Sequence, residues 1–317
     1  MLLAQDDSVV AFWVSSVFLR GLCGWLLTLI FSASPRCNGF SPCFLGVSVP
    51  PWWVWFFGCG SAALCSSGVF FTSMPKQSEA LVLRTYPFHE ADLLVTLFTR
   101  VEGKIKGVAK SAKKSKRRFG GALEPLTYVN AHWEDKQGQE LARLDSFDII
   151  TSPLATEVTY ARLVALEYVS EVIDQLLPDR EPSDSIFRLA VAVVNQLKAE
   201  TVWMPLTYFD LWIVRLIGLL PDLQACVMCG ETLNGSRAYF HPMADGLLCI
   251  RDKRLASTEI SSESRSFAAG MFRAPVEAFV GTPWPRQRGA DLRRFLAQRI
   301  ERHIEKKLVT ATMLDRL

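Results

Sequence analysis

The first 73 residues of this chain contain no lysine, glutamate, histidine or tyrosine. Their only charges are Asp6, Asp7, Arg20 and Arg36. The missing cations argue against two familiar roles. A secretory signal starts with a cationic region, and this segment starts with acids; its cleavage-like Ser32-Ala33-Ser34 is followed by Pro35. A pair of membrane spans is oriented by Lys/Arg clusters, and none is present. What the segment does contain is unusual: five of the eight cysteines (Cys23, Cys37, Cys43, Cys59, Cys65), five tryptophans, and two apolar stretches, Val9–Ile30 and Trp52–Phe71, each long enough for a helix to cross a bilayer. Gly58, Gly60 and Gly68 weaken the second stretch as a helix. Ordinary domain composition begins at Met74, and we read residues 1–73 as upstream DNA taken as coding. A membrane-associated extension and an atypical export signal are the alternatives. A peptide containing Trp52-Trp53, found in the protein made by its own host, would exclude the first reading.

Over all 317 residues, 35 Lys+Arg face 32 Asp+Glu, a net charge of +3, with half the residues hydrophobic. That balance excludes a polybasic chain and a disordered acidic one, and the length suits about two domains with ample core. Any nucleic-acid function must then rest on local charge. Histidine is scarce, at four. His89-Glu90 and Asp92 look like an acid–base cluster, but they follow Pro87 in a turn with no partner nucleophile. His132 and His303 stand alone. A hydrolase or nuclease therefore ranks low.

From Glu79 the apolar pattern has period two. Strands are expected at Glu79–Tyr86, Leu93–Thr99, Lys104–Lys110, Leu126–Trp133 and Glu140–Ile150, with turns at Glu102-Gly103 and Lys136-Gln137-Gly138. Five short strands in about 75 residues are too few for a sandwich and suit a small closed barrel of the OB type. No acid occurs from Gly103 to Leu123, where Lys104, Lys106, Lys110, Lys113, Lys114, Lys116, Arg117 and Arg118 fall in fifteen residues. These eight are the expected phosphate ligands, since a cationic loop beside a barrel face can follow a polyanion backbone. Phe119, with Tyr86, Phe88 or Tyr128, could stack on bases, although each also suits barrel core.

After Pro153 the period becomes helical. Helices are expected over Val158–Leu177, Ser185–Ala199, Leu206–Leu220 and from about Ala290 to Leu308, making a helical domain of residues 153–317 after a barrel of residues 77–152. An insertion at about 222–256 carries Cys226-Val227-Met228-Cys229-Gly230 and, after nineteen residues, Cys249. Such spacing resembles a zinc ribbon, whose knuckles aim thiolates at one tetrahedral ion. Where a fourth cysteine belongs stands Asp252. Either one structural zinc is held, with Asp252 or His241 as fourth ligand, or the ribbon keeps its shape around three reduced thiols without metal. Unpaired thiols suit a reducing cytosol. The fold class is thus α+β: an N-terminal OB barrel, then a helical domain with a zinc-ribbon-like insertion.

Residues 77–317 resemble the RecO family of bacterial recombination mediators. The resemblance lies in Ala80-Leu81-Val82-Leu83-Arg84, in Pro87-Phe88-His89-Glu90-Ala91-Asp92-Leu93-Leu94, in Leu97-Phe98-Thr99 followed by Gly103, and in Val108-Ala109-Lys110 with its basic loop. It continues through Phe119-Gly120-Gly121-Ala122-Leu123-Glu124-Pro125-Leu126, the Cys226/Cys229 knuckle and Lys306-Lys307-Leu308. The resemblance implies a non-catalytic, cytoplasmic, nucleoid-associated DNA repair protein. It would bind single- and double-stranded DNA, anneal complementary strands, and with RecR help load RecA onto DNA coated by single-strand-binding protein (SSB). SSB's tail is acidic with an aromatic end, and Arg294, Arg299 and Arg302 are the candidate rim of its receptor. An OB-fold RNA binder is the alternative function; a membrane scaffold would rest wholly on residues 1–73.

Overall fold

The computed structural model describes residues 75–135, 139–198, 202–233 and 235–317. The readings of residues 1–73 lie outside the described residues. Five strands, β1 (Pro75–Pro87), β2 (Leu93–Thr99), β3 (Gly103–Ala109), β4 (Tyr128–Glu134) and β5 (Ala142–Thr151), close into a barrel of order β1-β2-β3-β5-β4. Every pairing is antiparallel except β3 with β5, where Gly107, Val108 and Ala109 face Ala142, Arg143 and Leu144. Closure depends on β1, which pairs with β4 through its first half and with β2 through its second, bending at an irregularity between Val82 and Arg84.

The run Ala80-Leu81-Val82-Leu83 is apolar at every position because both faces of β1 are covered. Ala80 and Val82 enter the barrel core with Val95, Ile105, Trp133 and Phe147. Leu81 and Leu83, with Phe98, join the helical core instead. At the β2–β3 turn only glycine fits: Gly103 has φ +71°, and a Cβ there would lie 2.1 Å from the Glu181 carbonyl oxygen.

The helical part comprises α2 (Tyr160–Leu176), α3 (Asp184–Gln196), α4 (Trp203–Leu216), α5 (Ser262–Met271), α6 (Ala290–Ile304) and α7 (Val309–Leu314), a single-turn α1 (Lys116–Phe119) belonging to the barrel. Thr159 caps α2, and Val164, Ala165, Tyr168, Val169 and Val172 form its buried stripe. The α4 helix begins at Trp203, three residues before the predicted start. Pro205 lies in its first turn, where a missing N–H costs nothing, and Gly218 at φ +76° follows its end. The apolar pattern of the sequence gives no expectation of α5. Ser261 caps it by accepting from Ser264 N, and Ala268 and Met271 are its buried anchors. Between α4 and α5 a two-stranded sheet, β6 (Ala238–Phe240) with β7 (Thr258–Ile260), carries the cysteine loops.

Candidate nucleic-acid interface and cysteine centre

At one end of the barrel the chain leaves β3 and makes a tight excursion. Ser111, at φ +54°, donates its N–H to Asp92 Oδ1 at 2.7 Å, and Lys113 N donates to the Ala91 carbonyl, stapling the loop to the β1–β2 turn. Ala112, Phe119 and Ala122 turn inward and are buried; Phe119 meets Phe147 edge-on at 5.2 Å. With those anchors inside, Lys110, Lys113, Lys114, Lys116 and Arg117 are left outside. Ser115 caps α1, accepting from Arg118 N and Nε, while Arg118 Nη2 donates to the Lys110 carbonyl at 2.6 Å. Lys113 Nζ donates to the carbonyls of His89 and Glu90. Among the described residues, none of these six cations lies within 4.0 Å of a carboxylate oxygen.

Two of the eight expected phosphate ligands are placed differently. Lys104 is 7% exposed, and its ammonium is taken up by the Asp174 carbonyl at 2.6 Å and by Asp179 at 3.2 Å. Lys106 remains exposed but pairs with Asp179 at 2.8 Å, which raises its pKa. Both lie on β3 where the end of α2 and the connector after it meet the strand, and the acids that sequence reasoning missed come one from each, Asp174 from the last turn of α2 and Asp179 from the connector. Of the stacking candidates, Phe119 is core and Tyr128 packs on Phe187 at 6.0 Å. Tyr86 and Phe88 are 46% and 44% exposed, and Phe88 adjoins the turn that Lys113 grips.

The cysteine loops converge as their spacing predicts. The donor atoms of Cys226, Cys229, Cys249 and Asp252 all lie within 4.8 Å of one another. Cys229 Sγ is 3.8 Å from Cys249 Sγ, while Asp252 Oδ2 is 3.1 Å from Cys226 Sγ and 3.3 Å from Cys249 Sγ. A tetrahedron with zinc–sulfur bonds of about 2.3 Å has edges of about 3.8 Å. The four donors fit such an ion, and Cys249 N–H on Cys226 Sγ at 3.4 Å completes the knuckle geometry. Hydrogen bonds from the thiols, Cys226 first, hold the Asp252 carboxyl below its ordinary value. His241 is not part of the cluster; its Nδ1 accepts from Met243 N within its own turn. A zinc bound here by Cys226, Cys229, Cys249 and Asp252 would cross-link the two loops.

The three candidate arginines of α6 separate. Arg299 and Arg302 both donate to the Ala244 carbonyl, and Arg302 pairs with Asp245 at 3.0 Å, clamping the turn after β6. Arg294 is exposed and lines a different feature, a cavity among α2, α4, α6 and α7. Among the described residues, no helix is long and apolar enough to cross a membrane.

Residues 74–153 match the family Recombination protein O N terminal, and residues 158–311 match Recombination protein O C terminal. The chain is 69% identical over 244 residues to the DNA repair protein RecO of Koribacter versatilis, covering 77% of this chain and 100% of that protein. It is 32% identical over 239 residues to the RecO of an Anaeromyxobacter species (strain Fw109-5), covering 74% and 93%. To the RecO of Geobacter sulfurreducens it is 34% identical over 207 residues, covering 64% and 84%. The five-stranded barrel, the helical part with its cysteine loops and these matches lead to one conclusion: the chain belongs to the RecO family of DNA repair and recombination proteins.

Proposed function

We propose that this chain binds single- and double-stranded DNA through the cationic end of its barrel, anneals complementary strands, and with RecR assists RecA loading on SSB-coated DNA. One observation carries the reading: Lys110, Lys113, Lys114, Lys116, Arg117 and Arg118 share one surface with no acid paired to any of them among the described residues. Their attraction for phosphate is therefore not spent within the protein. Each contact releases condensed counterions, so log affinity for single strands falls by about 0.7 per log salt per phosphate neutralised. Two DNA strands repel each other, and a cationic surface holding both lowers that barrier without reading sequence. Lys104 holds the barrel to the end of α2, and Lys106 holds it to the connector that follows, instead.

For the tail of SSB, Arg294 is the remaining candidate, because Arg299 and Arg302 are committed to the 244–245 turn. Nothing in this arrangement activates a nucleophile or water, so the role is binding. The experiment is annealing of complementary oligonucleotides, bare and SSB-coated, by the chain and by its variant neutralised at Lys113, Lys114, Lys116, Arg117 and Arg118. Loss of annealing with the fold intact is expected, the melting temperature falling only by what the Lys113 and Arg118 hydrogen bonds contribute. Annealing at the parent rate would overturn the assignment, and equal affinity for RNA without annealing would favour a general RNA binder.

A further inference from the structure

Helix α4 is apolar nearly all round, and Asp210 is the one acid within it. Asp210 is 3% exposed and lines a cavity of about 390 Å³, a size common for small-ligand sites. Tyr168 donates its hydroxyl to Asp210 Oδ1 at 2.9 Å; Oδ2 accepts no hydrogen bond among the described residues. The neighbouring cation does not fill that gap. Arg293 donates to Thr207 Oγ1 and to the carbonyls of Arg286 and Arg288, and its guanidinium lies over the Trp203 ring at 4.8 Å. Burial raises the Asp210 carboxyl to about 7 in spite of the Tyr168 hydrogen bond.

The rest of the cavity carries more cation than acid. Leu206, Phe240 and Ala297 supply apolar wall; Glu301, which accepts from Leu308 N, and Asp315 face four cations, of which Arg294 and Lys307 are exposed with no ion pair among the described residues. A ligand that completes this site needs a flat or apolar body, an N–H donor at one end and more than one negative charge at the other. A monocarboxylate leaves one cation unmatched; inorganic phosphate leaves Asp210 unmatched.

We propose that this cavity takes a nucleotide unit, its base amino group donating to Asp210 Oδ2 and its phosphate held by Arg294 and Lys307. Adenine, cytosine and guanine carry such a group. Thymine offers only N3–H, flanked by two carbonyl oxygens that a carboxylate repels. The same chemistry is present in a free nucleotide and at the phosphorylated end of a strand.

The test is calorimetric titration of the full chain, at pH 8 where Asp210 is ionised, with dAMP, dCMP, dGMP and dTMP and with inorganic phosphate. Saturable binding is expected for at least one amino-bearing nucleotide, tighter by at least about tenfold, 1.4 kcal/mol, than for dTMP or phosphate. Asp210→Asn should erase the discrimination against dTMP, and the surface variant Arg294→Gln/Lys307→Gln, which leaves the core untouched, should weaken every nucleotide at least about tenfold. Absence of saturable binding for all four at about 1 mM, or binding unchanged in the surface variant, overturns the proposal. Phosphate binding as tightly as the nucleotides does so too. Competition between a 5′-phosphorylated oligonucleotide and the preferred mononucleotide separates the two sources. The proposal stands apart from the barrel reading: Lys114→Gln/Lys116→Gln/Arg117→Gln should lose DNA affinity and keep mononucleotide binding.

Discussion

Lys104 Nζ donates to the main-chain carbonyl of Asp174 at 2.6 Å, so a lysine of strand β3 closes on the C-terminal turn of α2. A cation favours a helix C-terminus, and Asp179 at 3.2 Å completes its neutralisation. Lys104→Met should leave DNA affinity and its salt dependence unchanged while lowering stability by about 2 kcal/mol, the scale of a hydrogen bond to a charged group, because the half-exposed Asp179 can be solvated. Urea denaturation beside a DNA titration checks both halves. A drop in affinity at unchanged stability would return Lys104 to the DNA surface.

The loop cations should behave in the opposite sense. Lys114→Gln/Lys116→Gln/Arg117→Gln removes three exposed charges that make no ion pair, so its melting temperature should match the parent's. Its slope of log affinity against log salt for single-stranded DNA should flatten by about 2, three contacts at about 0.7 each. Fluorescence anisotropy over a range of salt concentrations gives the slope directly.

The contrast between Lys104 and Lys114 shows where the sequence was legible. Strand positions, helix stripes and the cysteine loops follow from period and spacing, because they are local properties of the chain. Which lysine is free is not local. Lys104 and Lys106 are neutralised by Asp174 and Asp179, about seventy residues away, and only the docking of the last turn of α2 and its following connector on β3 brings them together. The α5 helix was missed because a short, serine-rich segment has a weak stripe, although Ser261 and Ser264 mark its start. Asp210 was visible as the one acid in an apolar helix; that it faces a cavity beside Tyr168 needed the fold.

The cysteine centre predicts a metal-linked stability. Zinc added to the reduced chain should raise its melting temperature, because an ion that binds only the folded loops stabilises them by mass action. Cys226→Ser or Asp252→Ala should abolish the shift, and His241→Ala should leave it intact. Metal analysis of protein purified without chelator gives the stoichiometry; less than about a tenth of an equivalent would count against a tight site.

Glu171 should anchor the C-terminus. Its carboxylate, 6% exposed on α2, accepts from Val309 N, Thr310 N and the Thr310 hydroxyl, so it serves as a remote cap for the six-residue α7. Glu171→Gln keeps the shape and removes the charge, and should cost about 2 kcal/mol, the scale of a charge-assisted hydrogen bond lost in the interior. Hydrogen exchange should show amides 309–314 losing protection first. Uniform loss across the helical part would mean that Glu171 supports the core rather than α7.

Two carboxyls set opposite limits on stability. Asp135 accepts from Arg180 at 3.0 and 3.1 Å and from Lys76 at 2.9 Å, and these partners, Arg180 foremost, hold it at about 2, below the ordinary 3.8. Its contribution is present above about pH 4 and is lost as pH falls toward 2. Asp210 is displaced upward to about 7 by burial, so its contribution is present below about pH 4 and is lost as pH rises through 7. Asp210→Asn should therefore flatten the decline of the urea midpoint between pH 5 and pH 8 and leave the acid limb in place. Asp135→Asn should do the reverse, softening the acid limb alone. Parallel loss on both limbs in either variant would show that the two groups do not titrate independently.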